Sequence, residues 1–117
     1  MGQVKARVAH QIPERPPLQL AVGEPVEVGA RDTTWPAFVF VTTDHGSGWV
    51  PARHLSRPSG PARVLAAYDT SELPTMDGET LDVLVEDRAS GWLWCRSMSG
   101  REGWVPVTTV GAQSLDR

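Results

Sequence analysis

Side chains able to carry reaction chemistry are few and scattered in this chain of 117 residues. His10, His45 and His54 are too dispersed to suggest the convergence that a metal ion requires, and they read as surface or edge residues. Cys95 is the single cysteine, which excludes an internal disulfide and a cysteine-built zinc site. In alternation with Leu93 it reads as a small core residue with a raised, inert thiol. Glu86 and Asp87 are adjacent at a strand end and a loop, which does not read as a catalytic carboxylate pair. No glycine-rich phosphate loop, His-Glu pair at zinc spacing or Gly-x-Ser-x-Gly elbow is present. The expectation is no enzyme, no metal and no cofactor. What stands out is five tryptophans among ten prolines and eleven glycines.

Composition narrows the remaining classes. Apolar residues at 40% and charged residues at 21% are ordinary for a folded globular chain. The longest stretch free of charge, residues 103–115, is far shorter than the roughly 20 apolar residues of a membrane span, so no membrane partner is expected. No apolar run follows the basic residues Lys5 and Arg7, and the expected location is cytoplasmic. Net charge is -3, which disfavours nucleic acid unless a basic patch overrides it, and none is apparent. Residues 1–57 carry six basic and five acidic groups, whereas 58–117 carry five and nine. The two halves could therefore have different partners.

The elements that must position the aromatic residues occur twice. Ala6-Arg7-Val8 returns as Ala62-Arg63-Val64, Gly23-Glu24 as Gly78-Glu79, and Gly48-Trp49-Val50-Pro51 as Gly103-Trp104-Val105-Pro106, at offsets of 56, 55 and 55. Trp35 matches Trp92 after a two-residue shift. Apolar residues alternate at Val26/Val28, Phe38/Phe40, Leu81/Val83/Val85 and Leu93/Cys95, the period of half-buried strands. Scattered Pro and Gly would break any helix longer than a turn or two. The spacing predicts an all-β chain with strands near residues 4–9, 25–30, 37–42, 47–50, 62–67, 79–86, 92–98 and 101–105. One tight helical turn is expected at each of 51–55 and 106–110.

Ala66-Ala67-Tyr68-Asp69-Thr70, Gly78-Glu79-Thr80-Leu81, Gly91-Trp92-Leu93-Trp94 and Gly103-Trp104-Val105-Pro106 together resemble the Src homology 3 (SH3) family, in a bacterial variant of its eukaryotic-like form. The first half is similar through Leu18-Gln19-Leu20, Gly23-Glu24, Trp35 and Gly48-Trp49-Val50-Pro51. The resemblance implies two small five-stranded β-barrels in tandem: a divergent domain at 1–57, a Pro/Gly linker at 58–61, a closer match at 62–112 and a tail at 113–117. It implies a protein-interaction or adaptor module that receives a proline-rich, basic peptide in an aromatic groove. In the second domain the groove would be lined by Tyr68, Trp92, Trp104 and Pro106, with Glu72 holding a ligand Arg or Lys. A weaker groove in the first would use Ile12, Trp35, Trp49, Pro51 and His54. Thr70 and Thr109 stand where the family has tyrosines, and the loop from Tyr68 to Gly78 is about five residues shorter than usual.

Some of these residues also have plainer readings. Tryptophans can simply cover a barrel as large apolar side chains. Alternation puts Trp94 on the face opposite Leu93 and Cys95, an exposed site that asks for cover by the other domain or a second chain. Pro13-Glu14-Arg15-Pro16-Pro17-Leu18 has the look of a ligand for such a groove, which would give self-association, although prolines also simply rigidify a loop. Two other classes compete with the adaptor reading. One is a structural or oligomer-forming tandem with occluded grooves, including an accessory subunit. The other is a cell-wall glycan binder.

Overall fold

The computed structural model describes residues 2–12 and 16–110, and the folded chain is all-β apart from two single helical turns. It divides into two compact units, one contiguous at 16–70 and one interrupted, formed by 1–15 together with 71–117. Residues 58–61, expected to link two domains, lie inside the contiguous unit. The expected boundaries at 1–57 and 62–112 therefore do not coincide with the compact units. Pro13 to Arg15 and the 113–117 tail fall outside the described residues.

The contiguous unit contains β2 (Gln19–Leu20), β3 (Pro25–Arg31), β4 (Phe38–Thr43), β5 (Gly46–Pro51), a 3-10 turn (Ala52–His54), β6 (Gly60–Arg63) and β7 (Tyr68–Asp69). Its main sheet has the order β5-β4-β3-β6, and β2 pairs separately with β7. Alternation decides the inward face: Val26, Val28, Val39, Val41 and Val50 are buried together with Leu18, Leu20, Leu55, Ala62 and Val64. The chain ends of this unit are held side by side, since Thr70 N–H donates to the Leu18 carbonyl at 2.9 Å. Adjacent ends are what allow a unit to interrupt another chain segment.

The interrupted unit uses β1 (Gly2–Lys5), β8 (Thr80–Asp87), β9 (Trp92–Ser97) and β10 (Glu102–Pro106), followed by the helical turn α1 (Val107–Val110). Its sheet order is β1-β8-β9-β10. Val4, Ala6, Leu73, Leu81, Val83, Leu93, Cys95, Val105 and Val110 form its core. The two sheets repeat one plan, a meander of three strands with an outer strand added beside the first. Even the irregularities recur, because pairing shifts register between Val28 and Arg31 in β3 and between Val83 and Val85 in β8. Gly23 and Gly78, at φ 86° and 88°, turn the chain into β3 and β8 in the left-handed region that favours glycine.

The outer strands are exchanged with respect to the sequence repeat. β1, from the first half, pairs with β8 of the second, while β6, from the second half, pairs with β3 of the first. Register also corrects the alignment. Val4 lies opposite Leu81 and Ala62 opposite Val26, so the counterpart of Ala62 is Val4, at an offset of 58 rather than 56. Likewise His10 bridges Thr75 and Tyr68 pairs with Leu20, which makes His10, and not Ile12, the counterpart of Tyr68. Counted by compact unit, the charges become seven basic and nine acidic in the interrupted unit and four and five in the contiguous one. The asymmetry between sequence halves thus largely disappears.

Candidate functional site

In the interrupted unit, β9 buries Leu93 and Cys95 and turns Trp92, Trp94 and Arg96 to its other face. Burial, with a smaller push from the Asp82 carboxylate, drives the Cys95 thiol up to about 12, so it is inert. Across the hairpin Trp92 lies opposite Pro106, Trp94 opposite Trp104, and Arg96 opposite Glu102. Trp92 and Trp104 therefore share one pleat face. Trp94 and Trp104 meet edge to face with ring centroids 5.2 Å apart, and Trp94 Nε1–H donates to Glu102 at 3.0 Å. Val85 on β8 extends the row beyond Trp94. Arg96 sits between Asp82 and Glu102, at 3.7 and 4.0 Å.

A second strand-like segment closes the other side of Trp104. Trp104 N–H donates to the Ser71 carbonyl at 2.9 Å, and Leu73 N–H donates to the Trp104 carbonyl at 3.0 Å. The approach is possible because residue 103 is glycine: a Cβ there would meet Glu72 C and Leu73 N at 2.7 Å. This segment presents Glu72, whose carboxylate lies 3.1 Å from His10 Nε2. His10 Nδ1–H donates to the Leu73 carbonyl at 2.9 Å, so a ring carrying both protons donates to each oxygen. The imidazole edge packs on Trp92 with centroids 5.7 Å apart. The face thus combines Trp92, Trp94, Trp104 and Pro106 with a rim of Glu72, Asp82 and Glu102.

The contiguous unit carries a related face. Phe38 lies opposite Pro51 and Phe40 opposite Trp49, and the Phe40 and Trp49 rings meet edge to face at 5.1 Å. His54, at the end of the 3-10 turn, packs edge to face on Tyr68 at 5.2 Å. Elsewhere in this unit the exposed His45 bonds Glu24. That hydrogen bond raises the His45 pKa and lowers that of Glu24.

The residues expected from the sequence are distributed differently from their chain order. Glu72, Trp92, Trp104 and Pro106 belong to the interrupted unit, but Tyr68 belongs to the contiguous one, with Trp35, Trp49, Pro51 and His54. Ile12, expected with that second group, lies in the interrupted unit and is exposed. By pairing, the counterpart of Trp92 is the buried Phe38, while Trp35 occupies the preceding turn, its carbonyl accepting Phe38 N–H at 2.9 Å. Trp94 is half-buried against Trp104. Leu18, the last residue of the proline-rich segment, is a core side chain, and Pro13 to Arg15 lie outside the described residues. His10 and Phe40 were missed. The Phe38/Phe40 alternation could have exposed the second, but only the 58-residue register exposes the first. His10 is also largely buried, not an edge residue. Among the described residues no cluster of His, Cys, Asp and Glu is arranged to hold a metal ion, and no helix is long and apolar enough to cross a membrane.

A family model described as SH3 domain matches residues 66–107. The matched stretch begins in the contiguous unit and passes into the interrupted one between Thr70 and Ser71. No curated protein and no solved structure matches the chain.

Proposed function

We propose that the chain is a non-catalytic protein-interaction module. SH3 domains generally mediate protein–protein contacts, and the match over residues 66–107 supports that class. The finer reading is two SH3-like barrels whose aromatic faces receive extended, proline-bearing peptides, in a reducing, cytoplasmic setting. The observation that carries it is the shared pleat face of Trp92, Trp104 and Pro106 beside the Glu72 carboxylate. Flat rings give such a peptide contact area with few rotamers to freeze, and a polyproline helix arrives with little backbone entropy to lose. Glu72 and Glu102 favour a ligand carrying Arg or Lys.

The test is titration of proline-rich peptides followed by tryptophan fluorescence. An Arg-bearing peptide should bind with a Kd on the order of 100 μM, as small shallow interfaces do, and its Glu-bearing analogue much more weakly. Trp92→Ala should abolish the signal, whereas Tyr68→Ala, in the other unit, should leave it. Equal binding of both peptides, or loss on Tyr68→Ala alone, would sink this assignment. The seating of His10 on Trp92 and Glu72 favours a second reading, an accessory or oligomer-forming protein with this groove already filled. That reading expects binding to appear only when His10→Gly clears the face.

A further inference from the structure

Residues 2–12 form an arm that completes a unit from which it is separated by the whole of residues 16–70. Its attachments are regular and local to the arm. Gly2, Gln3, Val4 and Lys5 lie opposite Val83, Asp82, Leu81 and Thr80. Ala6 N–H donates to the Glu79 carbonyl at 2.8 Å, and Arg7 N–H to the Thr109 carbonyl at 2.7 Å. His10 and Thr75 exchange a pair of backbone hydrogen bonds, each 3.1 Å. Only two arm side chains, Val4 and Ala6, enter the core. Release of the arm removes these two apolar groups, the His10 ring with its contacts to Glu72, Leu73 and Trp92, and an edge row of hydrogen bonds, and it takes nothing from the core of the contiguous unit.

We propose that two copies of this chain trade these arms, each seating residues 2–12 on β8 of the other. Every contact that holds the arm depends on its sequence and on the unit receiving it, so an arm from a second copy makes them in the same register. Reciprocal exchange closes the pair with no unpaired edge on either β8, which is why a twofold dimer, rather than an open chain of molecules, is the product.

The test uses Gln3 and Asp82, which face each other in the ladder and are joined by a 2.9 Å hydrogen bond. Cys95 can remain, because it is buried and its thiol is inert. A chain carrying Gln3→Cys is mixed with one carrying Asp82→Cys, incubated, then oxidised. The mixed disulfide should rise at least tenfold as protein goes from about 10 μM to about 1 mM, the range of effective concentrations set by short tethers. Light scattering should show twice the monomer mass over the same range. Gln3→Cys mixed with Arg101→Cys controls for random collision. A mixed disulfide no more abundant than in this control, while the Gln3→Cys/Asp82→Cys double variant oxidises within one chain, would overturn the exchange. Failure of the double variant to oxidise would also overturn it, by removing the arm from β8.

Discussion

Gly48 and Gly103 occupy the same place in the repeat, yet substitution by alanine should affect them unequally. At Gly103 a Cβ meets backbone atoms, Glu72 C and Leu73 N, both at 2.7 Å. Backbone cannot rotate aside, so the 71–73 segment must move. That loosens the Trp104–Ser71 and Leu73–Trp104 hydrogen bonds, worth about 1 kcal/mol each. It also withdraws part of Leu73, whose full burial contributes about 1.5–3 kcal/mol. Taking half of the Leu73 contribution, Gly103→Ala should cost about 3 kcal/mol. At Gly48 the nearest atom is the Thr70 Cγ2 methyl at 3.3 Å, followed by Leu18 Cβ at 3.7 Å. A methyl can give by a few tenths of an ångström, and the cost should stay under about 1 kcal/mol. Urea unfolding of the two variants, read by tryptophan fluorescence, checks both values. Equal costs, or a Gly103→Ala protein within about 0.5 kcal/mol of the unsubstituted chain, would refute the close backbone approach.

Thr70→Val should destabilise the contiguous unit by about 1–2 kcal/mol, because Leu18 N–H loses its bond to Thr70 Oγ1 at 2.7 Å, whereas Thr70→Ser should restore most of it in the same urea titration. Cys95 should resist a thiol-specific disulfide reagent at pH 8 in the folded state and react at once in urea; since its raised pKa favours the folded thiol, stability should fall as pH climbs above the ordinary cysteine range. The Glu24–His45 contact should be fully formed between the ordinary pKa values of the two groups, fade as pH falls through the lowered Glu24 value, and be lost as pH rises through the raised His45 value. Glu24→Gln should move the His45 midpoint down in an NMR titration. Adding about five flexible residues between Thr70 and Ser71 should relieve a short hinge and return each of two arms, residues 2–12 and their counterpart 60–69, to its own half. The readout is a Gln3→Cys/Glu27→Cys chain, which should oxidise internally only when lengthened, since Pro61, the counterpart of Gln3, now lies opposite Glu27.

Much of the sheet architecture was legible because alternation is a local signal. Leu93 and Cys95 inward against Trp92 and Trp94 outward follows from period two alone, and the repeated Gly-Trp-Val-Pro places Trp49 and Trp104 alike on the last strand of each meander. The arms were not legible, for a specific reason. Offsets of 56 and 58 differ by two residues, and a slip of two leaves every side chain on the same face. Ala6 could therefore be matched to Ala62 by identity while the backbone pairs Val4 in that place. Nor does an arm's sequence choose its sheet, because Val4 and Ala62 are both small apolar residues facing similar cores. That Tyr68 belongs to the contiguous unit, and Trp92 and Trp104 to the interrupted one, follows directly from that ambiguity.

Loop length breaks the tie. For the second arm to fold back on its own half, Tyr68 would have to pair with Thr75 across only the six residues 69–74, while the first arm would have to turn between His10 and Leu20 through 11–19, which contain three prolines. In the exchanged arrangement neither loop has to form a hairpin tip. Thr70 keeps its backbone bond to Leu18, and Ser71 keeps its own to Trp104, so the chain passes from one unit to the next without a free residue. Side-chain identity on each aromatic face then depends on this crossing: it delivers His10 to Trp92 and Tyr68 to His54. Loop length thereby decides which rings come together on each face, without altering any residue of the faces themselves.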